Sequence, residues 1–274
     1  MNTDLLQRIR LLRPIDDILF EVLADDKDFC TEMLRTILED PGLIVKEVTV
    51  QRSERNIYGR SVRLDALCVL GDGSLCNIEV QRANNDDHLR RVRYNASVIT
   101  AKETEVGARF EKIPNLIVIY ITESDFLKGG KTIYHVKSIV LETGDVLDDG
   151  LERVFVNTAV DDRTDIAEYM RCMTQTEVES KKYPVFTKRL HEIKNTKGGQ
   201  GTMCKVIEEY AQKVGEEQRR KGHEEGLRKG QWKGRREERR ANVRVLAQTL
   251  MELKNISEEE ALKEAESRIL QAQK

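Results

Sequence analysis

The chain has 274 residues, enough for one large domain with an extension or for two small ones. Hydrophobic residues make up 39% and charged residues 34%, so a core requires the apolar residues to be concentrated, and they are, between Leu11 and Tyr169. The formal net charge of -2 does not by itself advertise a polyanionic partner.

Five cysteines without a CxxC pair argue against a zinc site or a disulfide framework. The N-terminal segment is charged throughout, and no apolar run approaches the roughly 20 residues that cross a bilayer. No membrane partner is therefore expected, and a cytoplasmic, reducing location is.

Asp16 to Glu39 has helical apolar spacing, interrupted at residues 25–28, with Asp28 expected to cap a second helix that Asp40-Pro41-Gly42 ends. Leu43–Val50 reads as a strand. Two further strands, Ser61–Leu70 and Ser74–Gln81, flank Gly71-Asp72-Gly73, a strong turn signal. Asp86–Lys102 reads as an amphipathic helix with His88 on its surface. Asn115–Ile121 is the continuous apolar run of a strand buried on both faces. Thr132–Leu141 and Leu151–Val156 suggest an antiparallel pair, and Asp161–Met173 a helix. Gly129-Gly130-Lys131-Thr132 lacks the first glycine of a phosphate loop and reads as a turn.

From Thr176 the pattern weakens, and Lys197–Gly201 looks like a linker. Residues 211–240 hold eleven Lys/Arg against six Asp/Glu, with Gly222, Gly226, Gly230 and Gly234 spaced by four. Glycine costs about 1 kcal/mol per helical site, so this stretch reads as a marginal helix or a basic spacer. Ala241–Leu253 and Glu258–Leu270 are expected helices, with a Ser257–Glu260 capping box on the second. The expected organisation is an α/β domain over residues 1–200, with a mixed central sheet flanked by helices, and a charged helical C-terminal extension over residues 201–274.

The hairpin carries the chemistry. If Leu70 pairs with Ser74, Asp65 lies opposite Glu79 and Arg63 opposite Gln81. Asp65, Glu79 and Gln81 then share one face, while Leu64, Ala66, Cys68, Leu70, Cys76, Ile78 and Val80 share the other. Directly opposed carboxylates destabilise a strand pair, so Arg63 or a divalent cation must offset them. Either an ordinary polar strand face or a hard-oxygen metal site fits the pattern.

Asp65 followed by Glu79-Val80-Gln81 resembles the PD-(D/E)XK nuclease motif, with Gln in the place of the usual Lys. The wider sequence resembles the recombination-promoting nuclease and transposase branch of that superfamily. The matching blocks are Pro14–Phe20, Val62–Asp65, Asn77–Gln81 and Arg91–Tyr94. The resemblance implies a restriction-endonuclease-like core and a metal-dependent DNA endonuclease associated with recombination or mobile elements. It implies that Asp65, Glu79 and the Val80 carbonyl hold Mg²⁺, or Mn²⁺, with Gln81 orienting the attacking water. The upstream acid falls at Asp17, with Asp16 the alternative, and either could simply cap the helix. Arg63, Arg91 and Tyr94 are the expected DNA contacts, although Tyr94 could instead only pack. The C-terminal helices could support a homo-oligomer. Because Gln cannot supply a charge, a catalytically weak or inactive DNA-binding or oligomerising accessory protein is the alternative function.

Overall fold

The computed structural model describes residues 3–54, 62–82 and 88–271. Three helices open the chain, α1 (Thr3–Leu11), α2 (Asp17–Ala24) and α3 (Lys27–Ile37). Strands β1 (Val45–Glu54), β2 (Val62–Leu70) and β3 (Leu75–Gln81) follow, then α4 (His88–Glu103) and β4 (Leu116–Thr122). After them come β5 (Ile133–Val136), the short β6 (Ser138–Ile139) and β7 (Val146–Leu147), and β8 (Leu151–Asn157). Helices α5 (Asp165–Met173), α6 (Pro184–Asn195), α7 (Lys197–Lys254) and α8 (Glu258–Gln271) close it.

Six strands form one mixed sheet in the order β1-β2-β3-β4-β8-β5. The hairpin strands are antiparallel, β3, β4 and β8 run parallel, and β5 returns antiparallel on β8. The apolar β4 is central, as its sequence requires, with parallel neighbours on both sides. β6 and β7 make a separate two-stranded hairpin. This is the mixed sheet flanked by helices that the sequence led us to expect.

Two apolar layers cover the sheet. The first packs Ile9, Leu19, Phe29, Tyr169, Phe186 and Met203 from the N-terminal helices and α5 to α7 onto Ala66, Cys68, Ile78 and Ile119. The second packs Val92, Ala96 and Ile99 of α4 onto Leu67, Leu75, Val118 and Tyr120. Cys68 faces Cys76 across the hairpin, and both thiols are buried and free. Leu64 departs from the expected face and packs in the second layer.

Several local expectations change. Asp26, not Asp28, caps α3, because its carboxylate accepts the N–H groups of Asp28 (2.8 Å) and Phe29 (2.9 Å). Helix α6, which had no clear signal, begins with Pro184 and is capped at a distance by Glu32, which accepts the N–H groups of Val185 and Phe186. Lys197–Gly201 is no linker; it is the first turn of a 58-residue helix that also takes in the glycine-spaced segment. Ion pairs one turn apart, Arg220–Glu224 (3.9 Å) and Lys229–Glu225 (2.8 Å), offset part of the glycine penalty.

The chain forms two compact units, Met1–Glu208 and Glu209–Lys274. In the second, Val243, Ala247 and Leu250 of α7 pack with Ala261 and Ala265 of α8. The capping box is present, with Glu260 accepting from the Ser257 hydroxyl at 2.9 Å. Residue 200 lies inside α7, and Met203 beyond it is fully buried in the first unit. Truncation after Glu208 should therefore preserve a cooperative thermal transition. Truncation after Gly199 strips Met203 from the core and should cost about 2–5 kcal/mol, the range for emptying a buried methionine site. Circular dichroism reads both transitions. Loss of the transition in the protein truncated after Glu208 would show that the second unit helps to hold the first.

Candidate active site

The backbone ladder between β2 and β3 runs from Val69–Leu75 to Ala66–Ile78, the register expected from the sequence. One residue further out, the Asp65 carboxylate takes over and accepts the Val80 N–H at 2.8 Å. A side chain thus replaces a carbonyl as the ladder acceptor. The β2–β3 pairing ends here, while β2 stays paired with β1 as far as Val62, and Leu64 packs in the opposite layer from Ala66.

Glu79 lies on the face that carries Asn77 and Gln81 and is only 1% exposed. Its Oε1 accepts from Asn77 Nδ2 at 2.9 Å, and the Asn95 side chain of α4 also hydrogen-bonds to it. Burial, and then the neighbouring Asp65 charge, push its carboxyl up to about 8. Asn77, Asn95 and the charge of Arg91 oppose that rise. The other amide atom of Asn77, Oδ1, is buried without a hydrogen-bond partner among the described residues.

Gln81 ends β3, and its Oε1 accepts from Arg91 Nη1 at 2.7 Å. Arg91 therefore stands beside both Glu79 and Gln81. Tyr94, one turn on, packs half-buried against the second apolar layer. His88 is not on the surface: it is buried, with Nδ1 3.0 Å from the Tyr120 hydroxyl. Tyr120 pairs with Glu79 in the β3–β4 register. The Arg63 side chain lies outside the described residues.

The two upstream acids have separate environments. Asp16 is buried, accepts the Arg13 N–H at 2.7 Å and pairs with Arg82 at 2.7 Å. Its carboxylate is engaged in fixing the turn into α2. Asp17 opens α2 with part of its surface exposed, yet the surrounding protein desolvates its carboxyl and raises it above the ordinary range. Arg82 and Arg91 pull the other way, which puts Asp17 within the electrostatic reach of the site.

Sequence reasoning missed Asn77, Asn95 and Arg82. Asn77 could have been found, because it sits two residues before Glu79 on the same strand face. Asn95 follows Arg91 by one helical turn, a spacing that becomes informative only once α4 is known to lie over β3.

Among the described residues, no group of three His, Cys, Asp or Glu side chains is placed to hold a metal. The acidic donors are two, Asp65 and Glu79. They nevertheless fit a hard divalent cation: Mg²⁺ keeps several waters and commonly takes only one or two carboxylates from a protein. A glutamate raised by burial and then by a neighbouring carboxylate is also a site that a cation would relieve.

A family model described as PD-(D/E)XK nuclease family transposase matches residues 18–226. No curated protein and no solved structure matches.

Proposed function

The chain belongs to the PD-(D/E)XK nuclease family transposases, and from that premise we propose that it is a metal-dependent endonuclease that hydrolyses DNA phosphodiesters at the open end of the β2–β3 hairpin. The observation that carries this reading is the Glu79 carboxyl, buried beside the Asp65 carboxylate at the point where the β2–β3 pairing ends and raised by that burial and then by the Asp65 charge. Asp65, Glu79 and the Val80 carbonyl would hold Mg²⁺ or Mn²⁺. The chemistry that such a cation supplies is activation of water and neutralisation of charge on the scissile phosphate.

The chain's own residues do the positioning. The Val80 N–H orients Asp65, and Asn77 and Asn95 fix the Glu79 rotamer. Arg91 fixes the Gln81 amide, a group able to hydrogen-bond water but unable to act as a base at neutral pH. Asp17 is the upstream acid in this reading. Arg91, Arg63 and the basic stretch of α7 provide contacts to the DNA backbone, and α7 and α8 provide a surface for self-association.

Supercoiled plasmid incubated with the full-length protein tests this. Nicking should require Mg²⁺ or Mn²⁺, stop with chelator, and be lost in Glu79→Ala together with metal binding measured by calorimetry. Salt-dependent DNA binding without cutting under any of these conditions would instead identify a DNA-binding accessory protein.

A further inference from the structure

Strands β3, β4 and β8 run parallel and end together, with Gln81, Thr122 and Asn157 in register. Ligands of open α/β sheets lie beyond this end of the strands. The segment that follows β4 there, Glu123 to Lys131, has no part in the chemistry proposed above. It is nevertheless tied to the same edge. Glu123 pairs with Arg13 (2.7 Å) and Arg82 (3.5 Å). The Phe126 ring packs on His88, the first residue of α4, at 4.7 Å between centroids, and on Phe155 at 5.4 Å.

The turn is braced from within. The Tyr134 hydroxyl donates to Asp125 (2.8 Å) and accepts the N–H groups of Gly129 (2.9 Å) and Lys131 (3.1 Å). Asp125 also accepts the N–H groups of Lys128 (3.0 Å) and Gly130 (2.8 Å), and Asn157 Nδ2 donates to the Lys131 carbonyl at 2.7 Å. A Cβ on Gly129 would sit 2.7 Å from the Tyr134 ring, so only glycine fits. Lys128 itself is held at φ 57°. These bonds occupy the backbone amides internally, so the turn is no anion nest of the phosphate-loop kind.

The charges are sorted by the same bonds. Glu123 and Asp125 face donors of the protein itself, as does Asp162, which caps Thr132. Lys128 and Lys131 are exposed and have no ion-pair partner among the described residues. Arg90 and Arg93, on the helix whose first residue His88 packs on Phe126, are exposed as well.

We propose that this braced turn is a DNA-backbone clamp, with the Lys128 and Lys131 ammonium groups each taking a phosphate of the duplex bound at the hairpin end. The clamp rests on the nuclease reading above and adds to it a named contact surface. A turn already fixed by its own hydrogen bonds loses little backbone entropy on binding, which is the advantage of building it this way.

The test is fluorescence anisotropy of full-length protein on a labelled duplex, without divalent cation, across a salt series. Each phosphate contact contributes about 0.9 to the slope of log K against log salt. Lys128→Ala/Lys131→Ala should lower that slope by about 1.8 and weaken binding roughly tenfold or more at low salt. Its melting temperature should match wild type, and Lys128→Arg/Lys131→Arg should keep the full slope. An unchanged slope and affinity in the alanine variant would overturn the clamp while leaving the nuclease reading intact. Absence of salt-dependent binding by the wild type would bring down both.

Discussion

Without divalent cation, the protein should lose stability as the pH rises from about 5 to about 8, and Glu79→Gln should remove most of that loss. An unfolded glutamate ionises near pH 4.3. In the fold, burial and the Asp65 charge keep the proton on Glu79 until about pH 8. Between those values the native state binds one proton more than the unfolded chain, so stability is complete below the lower value and falls towards the upper one. Moving a group's ionisation by one pH step is worth about 1.4 kcal/mol, so the loss is on the order of a few kcal/mol. For a chain of this size that is roughly 5–10 °C in melting temperature. Glutamine cannot ionise, and the difference between wild type and Glu79→Gln isolates this group from the other raised carboxyls, Asp17 and Glu32. A divalent cation should reverse the trend, because it binds the carboxylate and displaces the proton, and its stabilising effect should grow with pH. Parallel pH profiles for wild type and variant would mean that Glu79 ionises normally and that the hairpin end is not a proton- or cation-sharing site.

The parts of this site that could be read from the sequence are those fixed by strand periodicity. The three-residue turn at Gly71–Gly73 set the register, which holds from Val69–Leu75 to Ala66–Ile78, and the Asp65 charge acts on Glu79 just beyond it. Leu64 escaped because it departs from the alternation, packing in the second layer at the point where the β2–β3 pairing has ended, although β2 still pairs with β1 there. His88 and Asn95 escaped for another reason. Their roles depend on which face of α4 meets the sheet, a tertiary fact that an amphipathic pattern with a weak apolar stripe does not encode. The long helix α7 was hidden by its glycines, since intrinsic propensity penalises each one singly, whereas flanking helical turns and ion pairs carry the segment through.

The motif considered alone suggests that Gln81→Lys, which restores the residue most common in such sites, should preserve or raise activity. The contact from Arg91 reverses that expectation. Arg91 Nη1 donates to Gln81 Oε1 at 2.7 Å, and its charge already acts on Glu79. A lysine at 81 would lose that hydrogen bond and set an ammonium against a guanidinium, a repulsion felt strongly beside buried groups. On the proposed reading the positive charge would come from Arg91 of α4, to which the neutral Gln81 amide is hydrogen-bonded. Arg91→Ala should then lower single-turnover cleavage at saturating DNA by about 10²–10³, the range for removing one preorganised group that stabilises transition-state charge. Gln81→Ala should cost less, roughly tenfold, since Arg91 remains and a single neutral hydrogen bond is worth about 1 kcal/mol. Gln81→Lys should be slow by itself, and Gln81→Lys/Arg91→Ala should cleave faster than either single variant, a non-additivity expected only of groups in contact. Measuring the rate at saturating DNA separates this effect from weaker binding, which Arg91→Ala will also cause if the guanidinium touches phosphate. Should Gln81→Lys cleave as fast as wild type, with no gain in the double variant, the Arg91 contact has no part in supplying the charge, and position 81 would be free to take either residue.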